Sequence, residues 1–251
     1  MVNGQRTYPL VNEAENGAVS NPQNSAHWTF WDIAGIFSLC LVGTGVTGFA
    51  MLFFRGDDLV TKYVVMFVTG LLGMLAPPWW LNSRYGLFID AVGVRKGKPN
   101  AWIYTWTGIA AVIALNGVMW QIAPAWSGPP VQLSRAVTYL DFILLPVSIG
   151  GFLFTVWGPV SEEVLFRGLL YGYLRSRLGV PVGLVVQGLL FVLVHFPFFK
   201  TSFNDGLLSS FQILFLGLVF GFLYQRTSTL YPSIICHGAT TTSTWWPIIF
   251  G

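Results

Sequence analysis

Three short segments hold almost all the side chains in this chain that could do chemistry inside apolar surroundings. The first is Glu162-Glu163-Val164-Leu165-Phe166-Arg167. On a helix Glu163 and Arg167 are four residues apart, so they share a face and can pair. Glu162 falls about 140° around from Arg167 at 100° per residue. One carboxylate can therefore be neutralised by the arginine while the other is left to act on water, the asymmetry that separates a structural carboxylate from a general base. The plainer alternative is a solvated pair of charges at a helix N-terminus, where the dipole favours glutamate. The second segment is Phe191-Val192-Leu193-Val194-His195, with the ring of Phe191 one turn before the imidazole. A lone histidine there could simply be hydrogen-bonded in a core. The third is His237-Gly238-Ala239-Thr240-Thr241, in which His237 and Thr241 share a face. Alone, that pair could just join helices in a membrane. The chain has three histidines, and His27 lies outside these segments. Scattered in lipid, each polar group would be costly, whereas three helices converging on one wet cavity would satisfy them together.

The elements that position these residues are hydrophobic helices. Of 251 residues, 54% are hydrophobic and only 9% charged, against about 25% charged in ordinary soluble domains. Mean hydropathy is +0.63. A surface so poor in charge suits lipid and excludes a soluble enzyme. In hydrocarbon the backbone must satisfy itself, which leaves helices or closed barrels. The apolar runs are about 17–25 residues long, the reach of a membrane helix, without the alternation of barrel strands. The expected fold is all-α: a polytopic transmembrane bundle of about eight helices.

Residues 1–27 are polar and read as a flexible tail, with no charged start and apolar core of a cleaved signal. Residues 28–251 read as a single bundle. Spans are expected at 30–54, 63–81, 102–123 and 137–157, followed after a break at 158–161 by helices at 161–178, 181–196, 207–225 and 231–249. Ten of the eleven tryptophans lie near these limits, as indole rings do at membrane interfaces. The connection 82–100 holds Arg84, Arg95, Lys96 and Lys98 and is expected on the cytoplasmic side, which with eight helices puts both termini there. The net charge of +3 reflects loops near headgroups, and nucleic acid is not an expected partner. Cys40 and Cys236 read as small buried hydrophobes.

At these residues the chain resembles the CPBP (Abi) family of intramembrane proteases, which includes CAAX-processing Ras-converting endopeptidases and bacteriocin-immunity proteins. The family's motifs are Glu-Glu-x-x-x-Arg, Phe-x-x-x-His and His-x-x-x-Asn/Asp. Here they read Glu162-Glu163-x-x-x-Arg167, Phe191-x-x-x-His195 and His237-x-x-x-Thr241. The stretch Gly217 to Tyr224, followed by Ser228-Thr229-Leu230-Tyr231-Pro232, also looks like the family's approach to its last motif. The likeness covers 158–242, the expected catalytic core. It implies that Glu162 activates water with help from His195, that Glu163 and Arg167 hold the site together, and that His237 stabilises the oxyanion. The residue that would assist His237 is here Thr241, whose hydroxyl is shorter and has one donor. No cofactor is expected. Zinc is the alternative, on Glu162, His195 and His237, but then another base is needed.

The implied activity is glutamate-dependent hydrolysis of a peptide bond in a membrane-embedded, prenylated or otherwise hydrophobic peptide or protein. The expected location is the plasma (inner) membrane. A catalytically silent membrane scaffold or immunity partner is the second reading, motivated by Thr241. A proton-coupled transporter is the third, without the broken-helix repeats that would encourage it.

Overall fold

A computed structural model describes residues 28–39, 42, 79–80, 83, 92–127, 156–195 and 203–243. All regular structure among them is helical. In chain order the elements are α1 Phe30–Leu39, α2 Ala101–Ser127, α3 Gly158–Glu163, a π-helical segment Val164–Tyr171, α4 Gly172–Leu178, α5 Val180–His195, α6 Phe203–Thr227 and α7 Tyr231–Ser243. Most of the first expected span beyond residue 39, the second apart from residues 79–80, the fourth up to residue 155, and the polar tail through residue 27 lie outside the described residues, so the number of eight helices is not established.

Local chemistry sets most of the limits. Thr29 and Asp32 cap α1 reciprocally. The Thr29 N–H donates to Asp32 Oδ2 at 2.8 Å, and the Asp32 N–H to Thr29 Oγ1 at 3.3 Å. Gly179, at φ +80, ends α4 where a side chain would be strained, and its N–H returns to the Arg175 carbonyl. Ser228, at φ +61, does the same after α6, and Pro232 occupies the first turn of α7, where its missing N–H costs nothing.

Three sequence limits are corrected, the first being that α2 runs on through Pro124 to Ser127, past its expected end at 123. The expected break at 158–161 is absent: Trp157 is already helical at φ −78, ψ −37, and Pro159 sits in the first turn of α3, a position a helix tolerates. The seventh helix starts at Phe203 rather than 207, because Asn204 and Asp205 begin its first turn, where an acidic residue suits the dipole.

Small residues let the helices approach. A Cβ on Gly217 would lie 3.2 Å from the Gly188 Cα, so α5 and α6 cross almost backbone to backbone. A Cβ on Gly108 would lie 2.7 Å from Cys236 Sγ, which brings α2 against α7. The segment 92–100 is laid across the α6–α7 turn. Leu230 N–H donates to the Gly93 carbonyl at 2.9 Å, Lys98 N–H to the Thr227 carbonyl at 3.3 Å, and Thr229 Oγ1 to the Arg95 carbonyl at 2.7 Å.

Two of the described helices, Ala101–Met119 within α2 and Phe203–Thr227, are long and apolar enough to cross a membrane. A helix from a soluble core would pass that test by being mostly buried. Here only 11% and 33% of the two windows are buried. Trp102, Trp106, Ile113 and Val118 of α2, and Phe211, Phe215 and Phe222 of α6, point outward. On α5 Val182, Val185, Leu189 and Leu193 are exposed along one stripe of the helix. Apolar exposure on this scale fits contact with lipid.

Candidate active site

Glu163 lies at the end of α3, and the widened π turn that follows keeps Arg167 on its face. Both side chains are fully buried, and Arg167 Nη1 lies 2.9 Å from Glu163 Oε1. This contact is an ion pair without hydrogen-bond geometry at Nη1. The guanidinium is held by aromatic faces instead. It sits 4.4 Å from the centre of the Phe191 ring, 5.2 Å from Phe220 and 5.9 Å from Phe166. Such contacts gain strength where water is excluded. Its Nη2 donates to the Gly217 carbonyl at 3.4 Å, an acceptor shared with Gln187 Nε2 at 2.7 Å.

The same Glu163 oxygen receives His237. The Nδ1 of His237 is 2.9 Å from Glu163 Oε1, and a carboxylate can only accept, so Nδ1 carries the proton. The imidazole lies flat on Phe220, with centroids 5.0 Å apart and planes at 22°. On α5, His195 Nδ1 is 2.7 Å from the Phe191 carbonyl, which likewise fixes a proton on Nδ1. Its ring meets the Phe191 ring edge-on at 4.5 Å. Phe191 thus orients His195 twice and carries Arg167 as well.

With both Nδ1 atoms committed, both Nε2 atoms face Glu162. Glu162 Oε2 lies 3.6 Å from His195 Nε2 and 3.8 Å from His237 Nε2. Both gaps are too long for a hydrogen bond. Glu162 Oε2 is itself buried with no hydrogen-bond partner. When the imidazoles are neutral, three acceptors face one another with no hydrogen between them. Buried acceptors are satisfied by a donor, and a bridging water is the usual one. The side chains of Glu162 and His195 remain 34% and 30% exposed, so this edge of the site is open while Glu163 and Arg167 are sealed.

All seven residues singled out in the sequence are described, and six converge: Glu162, Glu163, Arg167, Phe191, His195 and His237. Thr241 does share the His237 face, and its hydroxyl donates to the His237 main-chain carbonyl at 3.1 Å, along its own helix. Sequence reasoning missed Phe220 and Gln187. The signal for Phe220 was its place in the run Gly217-Leu218-Val219-Phe220-Gly221 before the last motif, where glycines admit close neighbours. Among the described residues, no three His, Cys, Asp or Glu side chains are arranged to hold a metal ion.

Residues 144–243 match the family model of the type II CAAX prenyl endopeptidase Rce1-like proteins. Over this segment the chain is similar to that family, in line with the likeness of its three motifs to CPBP proteases. No curated protein and no solved structure matches the chain. The matched range takes in every helix of the site, from α3 to α7, and the family is one of membrane-associated peptide hydrolases. Cys236 is buried and free within the matched range, its Sγ 3.4 Å from the Thr105 carbonyl, while Cys40 lies outside the described residues.

Proposed function

We propose that the chain is an intramembrane endopeptidase that hydrolyses a peptide bond in a membrane-associated, prenylated or otherwise hydrophobic peptide or protein. In this reading 158–242 is the catalytic core of a single bundle spanning 28–251. The observation that carries it is the buried, unpartnered oxygen of Glu162 facing two imidazole nitrogens whose tautomers are fixed from behind.

A water in that gap would give a proton to Glu162 as its oxygen attacks the carbonyl carbon of the substrate. His195, held by the Phe191 carbonyl, would orient the water. The tetrahedral intermediate places negative charge on the former carbonyl oxygen. His237 can donate to it only with a second proton, on Nε2, because Nδ1 is already directed at Glu163. A preorganised donor of this kind acts on charge that develops in the transition state. The proton on Glu162 would then pass to the leaving nitrogen as the C–N bond breaks, yielding a carboxylate and an amine.

The test is cleavage of a farnesylated C-terminal peptide, its unprenylated twin and an unrelated membrane peptide by the purified full chain in proteoliposomes. Glu162→Gln should lower kcat by roughly 10²–10⁴-fold, and His195→Ala by a similar factor. The ratio of the first two substrates reads prenyl dependence. Full activity in Glu162→Gln removes the assigned base. If wild type cleaves none of the three, and a stable Glu162→Gln/His195→Ala variant retains cellular function, the chain is a non-catalytic membrane partner, the reading that the Thr241 geometry favours.

A further inference from the structure

Away from the site, the basic residues gather at one end of the bundle. Lys98 N–H is bonded to the Thr227 carbonyl, and Arg95 Nε donates to the Ser228 carbonyl at 3.0 Å, so segment 92–100 lies beside Arg226 at the end of α6. Arg175 Nη1 and the Tyr171 hydroxyl both donate to Gln225 Oε1 at 2.9 Å, which brings the end of α4, with Arg177, to the same place. Arg95, Lys96, Lys98, Arg175, Arg177 and Arg226 thus come together from three segments that are far apart in the chain. Lys96, Lys98, Arg177 and Arg226 are exposed. Among the described residues none of those four pairs with a carboxylate.

Their immediate neighbours are apolar and outward-facing. Arg226 lies 5.1 Å over the ring of Phe222, itself 41% exposed, and Arg177 lies 5.7 Å over Tyr173. Leu178, Val180 and Val182 continue outward beside Arg177. A collar of cations directly above exposed hydrophobic side chains is what a headgroup layer over acyl chains complements. A soluble anion would use the charge and leave the apolar surface unused. We propose that this end of the bundle binds anionic phospholipid headgroups, through Lys96, Lys98, Arg177 and Arg226, and so faces the anionic cytoplasmic leaflet. Clusters of four to eight basic residues next to membrane helices act in this way, each drawn by the surface potential.

The experiment uses the full chain in detergent micelles with equal amounts of phosphatidylglycerol and phosphatidylcholine of identical acyl chains, and counts retained lipids by native mass spectrometry. Wild type should retain phosphatidylglycerol in preference by about fivefold or more. The preference should fall toward unity in Lys96→Gln/Lys98→Gln/Arg177→Gln/Arg226→Gln and in high salt. Arg177→Lys/Arg226→Lys, which keeps the charge, should retain it. If the fourfold variant fails to fold, Lys96→Gln/Lys98→Gln, confined to two exposed side chains, should still reduce the preference by about half. No preference in wild type, an undiminished preference in the neutralised variants, or its loss to inorganic phosphate at constant ionic strength would each overturn the proposal, the last in favour of a free-anion site.

Discussion

Glu162 and Glu163 are adjacent in the chain and chemically unlike in the fold. Glu163 is sealed, paired with Arg167 and bonded to His237, whereas Glu162 has one oxygen without a partner at an open edge. Their difference was legible from helical angles alone, because 100° per residue sends one toward Arg167 and the other away. Replacing Glu163 leaves the Arg167 charge buried among three aromatic rings. Glu163→Gln should therefore destabilise the fold by about 3–5 kcal/mol, as removal of one partner of a buried pair does, measured by unfolding in mixed micelles. Glu162→Gln should cost under ~1 kcal/mol in the same assay, since no partner is lost. Phe220 was marked in the sequence only by its place between Gly217 and Gly221, because a phenylalanine in an apolar helix does not by its type tell a ring packed on lipid from one stacked on an imidazole. The 22° stack on His237 makes Phe220 a positioning residue. Phe220→Leu should lower kcat roughly tenfold with KM nearly unchanged, and Phe220→Tyr should restore most of it. Equal loss in both variants would point to packing alone.

At the scale of elements, the helices were read from apolar runs and their chemistry from motif spacing, but the π-helical turn was not. Sequence periodicity has no mark for a helix that adds one residue to its ring, and such turns recur at functional sites. Here the segment Val164–Tyr171 carries Arg167 and is packed under segment 92–100 through Gly168. A Cβ on Gly168 would come within 2.7 Å of the Val92 carbonyl oxygen, a backbone atom that cannot rotate away. Gly168→Ala should destabilise by about 1–3 kcal/mol, the usual cost of overpacking. Gly117, in the middle of α2, has nothing within 4 Å of the same atom. Gly117→Ala should instead stabilise by up to about 1 kcal/mol through helix propensity. Opposite signs for two Gly→Ala changes in one chain separate steric contact from propensity, and matching signs would contradict the close approach of Val92 to the π turn. The break expected at 158–161 was drawn where a lipid-like half gives way to a polar-dotted one, and Pro159 does not enforce it: proline ends a helix only where an N–H and a preceding turn must be displaced, and the first turn of α3 requires neither.

Among the described residues, charge is polarised along the bundle. One end gathers Arg95, Lys96, Lys98, Arg175, Arg177 and Arg226, and α6 starts at the other end with Asp205 in its first turn. In the sequence only the connection 82–100 was dense enough to suggest a side, because Arg175 and Arg177 fell within the expected helix 161–178 and Arg226 in a nearly balanced connection. Folding brings them together, and the positive-inside rule, applied to the assembled end, gains in weight over its application to one loop. Lys96→Cys and Arg226→Cys, each made in a Cys40→Ala/Cys236→Ala background, should react with a membrane-impermeant thiol reagent from the same, cytoplasmic side. Phe203→Cys, at the exposed start of α6, should react only from the other side. Because α6 is 25 residues long, about 37 Å of helix at 1.5 Å per residue, its two ends cannot both lie in one aqueous phase if it crosses the bilayer upright. Labelling of Arg226→Cys and Phe203→Cys from one side would mean that α6 lies in the interface. Phe211, Phe215 and Phe222, which share one face of α6, would then dip into the acyl boundary from one leaflet instead of lining a span.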